Sequence, residues 1–139
     1  MIDKHAKNGN SEKFFFPEPQ ITGFDFSFSG LKTSILYFLQ KQVKANPNFI
    51  EENLNDLCAS IQKTIIDILL KKLEKATKKY GVNEIALAGG VSANSELRKK
   101  FEALGKKNSC KTHIPKFEYC TDNAAMIAMA AHYKFLRGE

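Results

Sequence analysis

The chain has 139 residues, 43% hydrophobic and 26% charged, a length and balance that fit one globular domain with a real core and show no low-complexity segment. No apolar run approaches the ~20 residues that span a bilayer, MIDKHAKNGN has no apolar signal region, and three scattered cysteines without a C-x-x-C pair argue against a disulfide framework or a structural zinc site, so the expected setting is cytoplasmic and reducing, with no membrane. The net charge of +6 and pI near 9.2 permit contact with nucleic acid without requiring it; the lysine runs KKLEKATKK and KKFEALGKK read first as solvated helix faces, and no aromatic alternates with them in sequence.

Residues 1–23 read as a weakly patterned lead-in, and the two prolines of FFFPEPQITG favour extended backbone. FDFSFSG sets Phe24, Phe26 and Phe28 against Asp25, Ser27 and Ser29, which predicts a half-buried strand over 24–28 ended by Gly30. Leu31, Ile35, Phe38, Leu39 and Val43 follow at helical spacing until ANPNF breaks the helix. The longest helix is predicted at 51–80. Its stripe is Leu54, Leu57, Cys58, Ile61, Ile65, Ile68, Leu69, Leu73 and Ala76, with Cys58 a core residue and Gly81 a stop.

EIALA predicts a strand over 85–88, apolar on both faces like a central parallel strand. GGVSAN turns into a helix at 95–105 closed by Gly105. CKTHIPKF predicts a strand over 111–114 cut off by Pro115, and EYCTDN leads as a loop into the last helix, AAMIAMAAHYKFLR. Strands alternating with helices predict an α/β fold with a small mixed sheet, partly parallel, flanked by helices.

Three turns are candidate sites. Gly89 and Gly90 stand at a strand's carboxyl end, where open α/β sheets bind ligands and where backbone without side chains passes close to one; the following helix offers N–H groups suited to a phosphate. By itself the Gly-Gly pair reads first as a tight strand-to-helix turn; Ser92 and Asn94 are its candidate caps, and Asn94 reads alternatively as an amide donor to a nucleoside. Asp122, before the last helix, reads as an N-cap or as a metal ligand; one carboxylate makes no metal site, and His5, His113 and His132 lie far apart in sequence. FSFSGLKT suggests a phosphate-friendly turn but lacks the glycine spacing of a P-loop.

Together, FDFSFSGLKT, LAGGVSANSELR and YCTDNAAMIA, in this order and at these separations, resemble the C-terminal half of the TsaD/Gcp/Kae family, formerly called O-sialoglycoprotein endopeptidases, and the resemblance covers essentially the whole chain. It implies an actin-like, ribonuclease-H-like two-lobed fold, of which residues 1–139 are a single C-terminal lobe. It also implies an enzyme that transfers a threonylcarbamoyl group from its adenylate to N6 of adenosine 37 in tRNA. One iron or zinc ion and TsaB-like and TsaE-like partner proteins are implied with it. By position, Asp122 matches the metal-ligand Asp of the family's C-T-D-N motif, Asn94 the nucleotide-contacting Asn of G-G-V-x-A-N, with Gly89 and Gly90 in the same nucleotide turn, and Asp3 an Asp that contacts the ribose.

The chain departs from the family in lacking its H-x-x-x-H histidines, its phosphate-handling Gly-rich loop and its Gly-Gly-Pro turn. The expectation is therefore one lobe, inactive alone, carrying no catalytic residue of its own and retaining no metal. The alternative is a noncatalytic domain of the same fold that holds a nucleotide or a partner. A peptidase has no support: there is no H-E-x-x-H and no recognisable nucleophilic triad.

Overall fold

The predicted long helix is the longest element: α4 runs Leu54–Tyr80, 27 residues without a glycine or proline. Lys78 and Lys79 complement the helix dipole in its last turn, and Gly81, at φ +62°, ends it. The computed structural model describes residues 1–19 and 21–139 and divides the chain into two compact units, Met1–Tyr80 and Gly81–Glu139. Gln20, part of the stretch expected to be extended, lies outside the described residues.

In the first unit, α4 is joined by α1 (Ile2–Ala6), α2 (Ser29–Ala45) and α3 (Phe49–Glu52). The short α3 takes up the start predicted for the long helix, with Asn53 breaking the two apart. Small side chains let α1 approach α4 closely: Ala6 is buried with Cys58 and Ala59. Cys58 is the core residue expected, and burial pushes its thiol up. A second cluster buries Phe16, Leu31 and Ile68, with Phe14, Phe38 and Ile65 packed around it. Each such buried side chain contributes about 1.5–3 kcal/mol. Phe14, Phe38 and Phe49 meet edge to face at 5.5–6.0 Å.

The weakly patterned lead-in packs onto α4. The Asn10 N–H donates to Asp56 Oδ1 at 2.7 Å, Lys13 Nζ reaches Asp56 Oδ2 at 2.6 Å, and His5 Nδ1 lies 3.1 Å from Asn55 Oδ1. Lys13 first, and the Asn10 amide with it, hold the Asp56 carboxyl below its usual range. A depressed carboxylate contributes stability that is complete above its unfolded value, near 4, and is lost as pH falls through the folded value. Asp56→Asn is therefore expected to flatten the acid limb of unfolding, losing stability at pH 7 and almost none at pH 2; urea titrations at both pH values check this.

The strand predicted at 24–28 does not form. The segment is irregular, and α2 begins at Ser29, so Gly30 lies inside its first turn rather than ending a strand. A strand needs a partner for its backbone, and here the lysines of α4 supply one. Lys72 Nζ donates to the carbonyls of Asp25 and Ile21, while the Phe24 ring lies 5.5 Å from Tyr80 and 5.1 Å from Lys79 Nζ.

The second unit contains β1 (Glu84–Ala86), a 3-10 turn (Gly90–Ala93), α5 (Ser95–Lys107), β2 (Lys111–His113), a second 3-10 turn (Phe117–Tyr119) and α6 (Ala124–Leu136). The strands predicted near 85–88 and 111–114 are present and pair in parallel, Ile85 opposite Thr112. The chain is α/β, mostly helical, and its sheet has two parallel strands among the described residues, so the expected mixed sheet is corrected to a purely parallel one. Leu97, Phe101 and Leu104 give α5 its buried face against this pair. Gly105 does not close the helix, which runs on to Lys107. A Cβ there would fall 2.2 Å from Thr112 Cγ2, so Gly105 is where α5 and β2 come closest. β1 also differs from expectation: Ile85 is buried but Ala86 is exposed, so one of its two faces lies open. No residue of α6 is buried, although 74% of Ile127 and 80% of Phe135 lie open.

Candidate functional site

The Gly-Gly turn follows the carboxyl end of β1, and the Cys120–Asp122 turn follows that of β2. Gly89 has φ +83°, a left-handed value that glycine adopts without strain. Its carbonyl accepts from the Ser92 N–H at 2.9 Å and closes the 3-10 turn. Asn94 is extended and caps α5, its Oδ1 accepting from the Leu97 N–H at 2.9 Å. The cap reading of Asn94 is therefore realised, and it fixes the side chain at the helix N-terminus.

Asp122 does not cap the last helix. That role falls to Asn123, whose Oδ1 accepts from the Met126 N–H at 3.1 Å, and this corrects the N-cap reading of Asp122. Asp122 is exposed in the turn before it. The two turns approach each other: a Cβ at Gly90 would lie 4.0 Å from the Cys120 carbonyl oxygen. Gly89, Gly90, Asn94 and Asp122 therefore belong to neighbouring turns of one unit. Asp3 belongs to the other unit, half-buried in the first turn of α1. In that unit a cleft of about 520 Å³ between α1 and the start of α4 is lined by Lys4, His5 and Asn8 and by Glu51, Asn55 and Asp56, but not by Asp3.

Sequence reading missed Arg98. Its Nε donates to the Ser92 carbonyl at 2.6 Å, its Nη2 to the Pro115 carbonyl at 2.7 Å and to Cys120 Sγ at 3.1 Å, and its guanidinium lies 4.0 Å over the Phe117 ring. Arg98 and Arg137 are the only arginines in a chain otherwise rich in lysine. An arginine at the head of a lysine-rich helix was the signal available, since its planar fork holds several acceptors in fixed directions. The Ser92 hydroxyl is fully buried and, among the described residues, without a hydrogen-bond partner.

Of the α4 lysines, Lys71, Lys75, Lys78 and Lys79 are exposed, as expected of a solvated face, and several also have partners. Lys78 pairs with Glu74 at 2.8 Å and Lys71 with Glu18, and aromatic rings distant in sequence cover others: Phe26 meets Lys72 at 5.6 Å and Phe24 meets Lys75 at 5.8 Å. Across the parallel strands, His113 Nε2 lies 2.8 Å from Glu84 Oε2; His113, with Lys111 behind it, holds the Glu84 carboxyl below its usual range. Among the described residues no three His, Cys, Asp or Glu side chains converge as a metal site. Asp122 is a single exposed carboxylate, and the described residues around it do not complete a metal shell. No described helix is long and apolar enough to cross a membrane.

Two parallel strands, each followed at its carboxyl end by one of the candidate turns, place this unit in the α/β class. The chain belongs to the TsaD family, described as tRNA N6-adenosine threonylcarbamoyltransferase, whose profile matches residues 1–129. It is similar to proteins of that name from Riemerella anatipestifer (57% identical over 139 residues), Christiangramia forsetii (52% over 137) and Thermosipho africanus (50% over 141). These alignments take in 99–100% of this chain but 40–41% of each relative, so the chain spans about two-fifths of their length.

Proposed function

We propose that the chain is the C-terminal lobe of a two-lobed, actin-like tRNA N6-adenosine threonylcarbamoyltransferase. The reading rests on one observation above all: Gly89–Asn94 and Cys120–Asp122 follow the carboxyl ends of two parallel strands and approach each other at Gly90. In this reading the turn at Gly89 and Gly90 and the first amides of α5 receive the phosphate of threonylcarbamoyl-adenylate or an adenine nucleotide. Asn94, held at the start of α5 by its cap, contacts the nucleoside. The threonylcarbamoyl group passes to N6 of adenosine 37 in tRNA, and AMP leaves.

Iron or zinc, when bound, supplies Lewis-acid polarisation. Asp122 is the one donor this chain offers it, and histidines of the remaining polypeptide complete the shell. TsaB-like and TsaE-like proteins are the partners of the longer enzyme, and the compartment is the cytoplasm. The apolar residues of α6 left open, and the uncovered face of β1, support a reading in which further polypeptide covers them.

The test is to join the chain to the portion by which its relatives are longer and to measure threonylcarbamoylation of tRNA. The joined enzyme is expected to be active and the 139-residue chain silent. Undiminished activity with Asn94→Ala would overturn the nucleotide role given to that residue, and an inactive joined enzyme would overturn the function.

A further inference from the structure

We infer that Arg98 is a positioning residue that latches the Gly-Gly turn to the Cys120–Asp122 turn, so that the two ligand turns keep one geometry. Its meaning for catalysis rests on the function proposed above; the latch itself stands on geometry. One guanidinium reaches three separate stretches of chain. These are the 3-10 turn after β1 through the Ser92 carbonyl, the stretch after β2 through the Pro115 carbonyl, and the next turn through Cys120 Sγ. The Phe117 ring, 4.0 Å away, fixes the plane of the fork.

The first turn closes on itself through the Ser92 N–H to the Gly89 carbonyl, and Arg98 takes up the Ser92 carbonyl beyond it. The Ser92 hydroxyl has no partner among the described residues, so its own side chain does not hold the first turn. Cys120 donates its thiol to the Lys116 carbonyl at 3.4 Å, which leaves the sulfur as acceptor for Arg98. The approach of Gly90 to the Cys120 carbonyl is the seam that these contacts close. Lysine cannot replace this arrangement, because a single ammonium on a flexible stem spans fewer acceptors in fixed directions.

The experiment compares backbone amide resonances of the 139-residue chain with those of Arg98→Lys, Arg98→Ala and Ser92→Ala. In both Arg98 variants the amides of 90–94 and 117–123 are expected to move together while those of α4 stay in place. Ethylguanidinium added to Arg98→Ala should return both sets together, which general destabilisation would not allow. Ser92→Ala keeps the carbonyl that Arg98 uses and should leave the 117–123 amides unmoved. Shifts confined to one turn, or a return of one set without the other, overturn the latch.

In the joined enzyme, Arg98→Lys is expected to lower kcat on the order of tenfold to a hundredfold, as small misplacements of reacting groups do, with little change in KM. A rise in KM alone would overturn the positioning role. If the unmodified joined enzyme transfers nothing, the proposed function fails, while the coupled movement of the two turns is judged on the amides alone.

Discussion

Phe101→Ala should destabilise the 81–139 unit by about 3–5 kcal/mol, the range for emptying a fully buried aromatic site. Phe101 is the largest fully enclosed side chain of the molecule, with 0% of its surface exposed, and with Leu97 and Leu104 it forms the face that α5 turns to the strands. At about 0.05–0.15 kcal/mol per residue, a unit that runs only from Gly81 to Glu139 has little stability in excess of this loss. Hydrogen exchange should therefore rise sharply across Ser95–Lys107 and in β1 and β2. The Phe16, Leu31 and Ile68 cluster belongs to the other unit, so Leu54–Tyr80 should keep its protection. Unchanged exchange in α5 would mean that Phe101 does not hold this unit together.

What was legible in the sequence, and what was not, divides by the range of the interactions. α4 was legible because its apolar stripe is local and unbroken. β1 was legible because a short apolar run ended in glycines, and β2 because Pro115 cuts off a short segment between two helical patterns. Asn94 as a cap follows from one residue's preference and its position before a helical pattern. The strand at 24–28 failed because alternation of Phe24, Phe26 and Phe28 describes a side-chain pattern, not a partner. Lys72, which takes up the Asp25 carbonyl, lies 47 residues away. The docking of α1 on α4 was hidden for the same reason: His5 meets Asn55, and Asn10 meets Asp56, across separations of 50 and 46 residues.

The candidate site shows the same division. Gly89 and Gly90 could be placed at a strand end from local pattern alone. Their approach to Cys120, and Arg98 between Ser92, Pro115 and Cys120, exist only because β1 and β2 are neighbours in the sheet. For Asp122 and Asn123, both residues suit an N-cap, and only the backbone decides between them. Asn123, at φ −151° and ψ 157°, takes the extended conformation from which Oδ1 reaches the Met126 N–H.

That choice makes Asp122→Ala a clean variant. Because Asn123 and not Asp122 caps α6, and Asp122 is exposed, its removal should change folding stability by no more than about 0.5 kcal/mol. Function should respond very differently. Under the proposed reading its carboxylate is the only metal donor this part of the protein provides, and a site of about four donors loses most of its hold when one is removed. Loss of a residue that merely supports a metal ligand costs about 10–100-fold in metal affinity or activity, so loss of the ligand should cost more. In the joined enzyme, Asp122→Ala should leave the melting temperature of the metal-free protein unchanged, strip the metal on dialysis and reduce tRNA threonylcarbamoylation by more than about a hundredfold. The 139-residue chain, with one carboxylate to offer, should carry metal well below one ion per molecule. Elemental analysis of both proteins, read beside the transfer assay, decides the matter. Stoichiometric metal in the 139-residue chain, or full metal content and activity in the variant enzyme, would place the metal ligand at another residue.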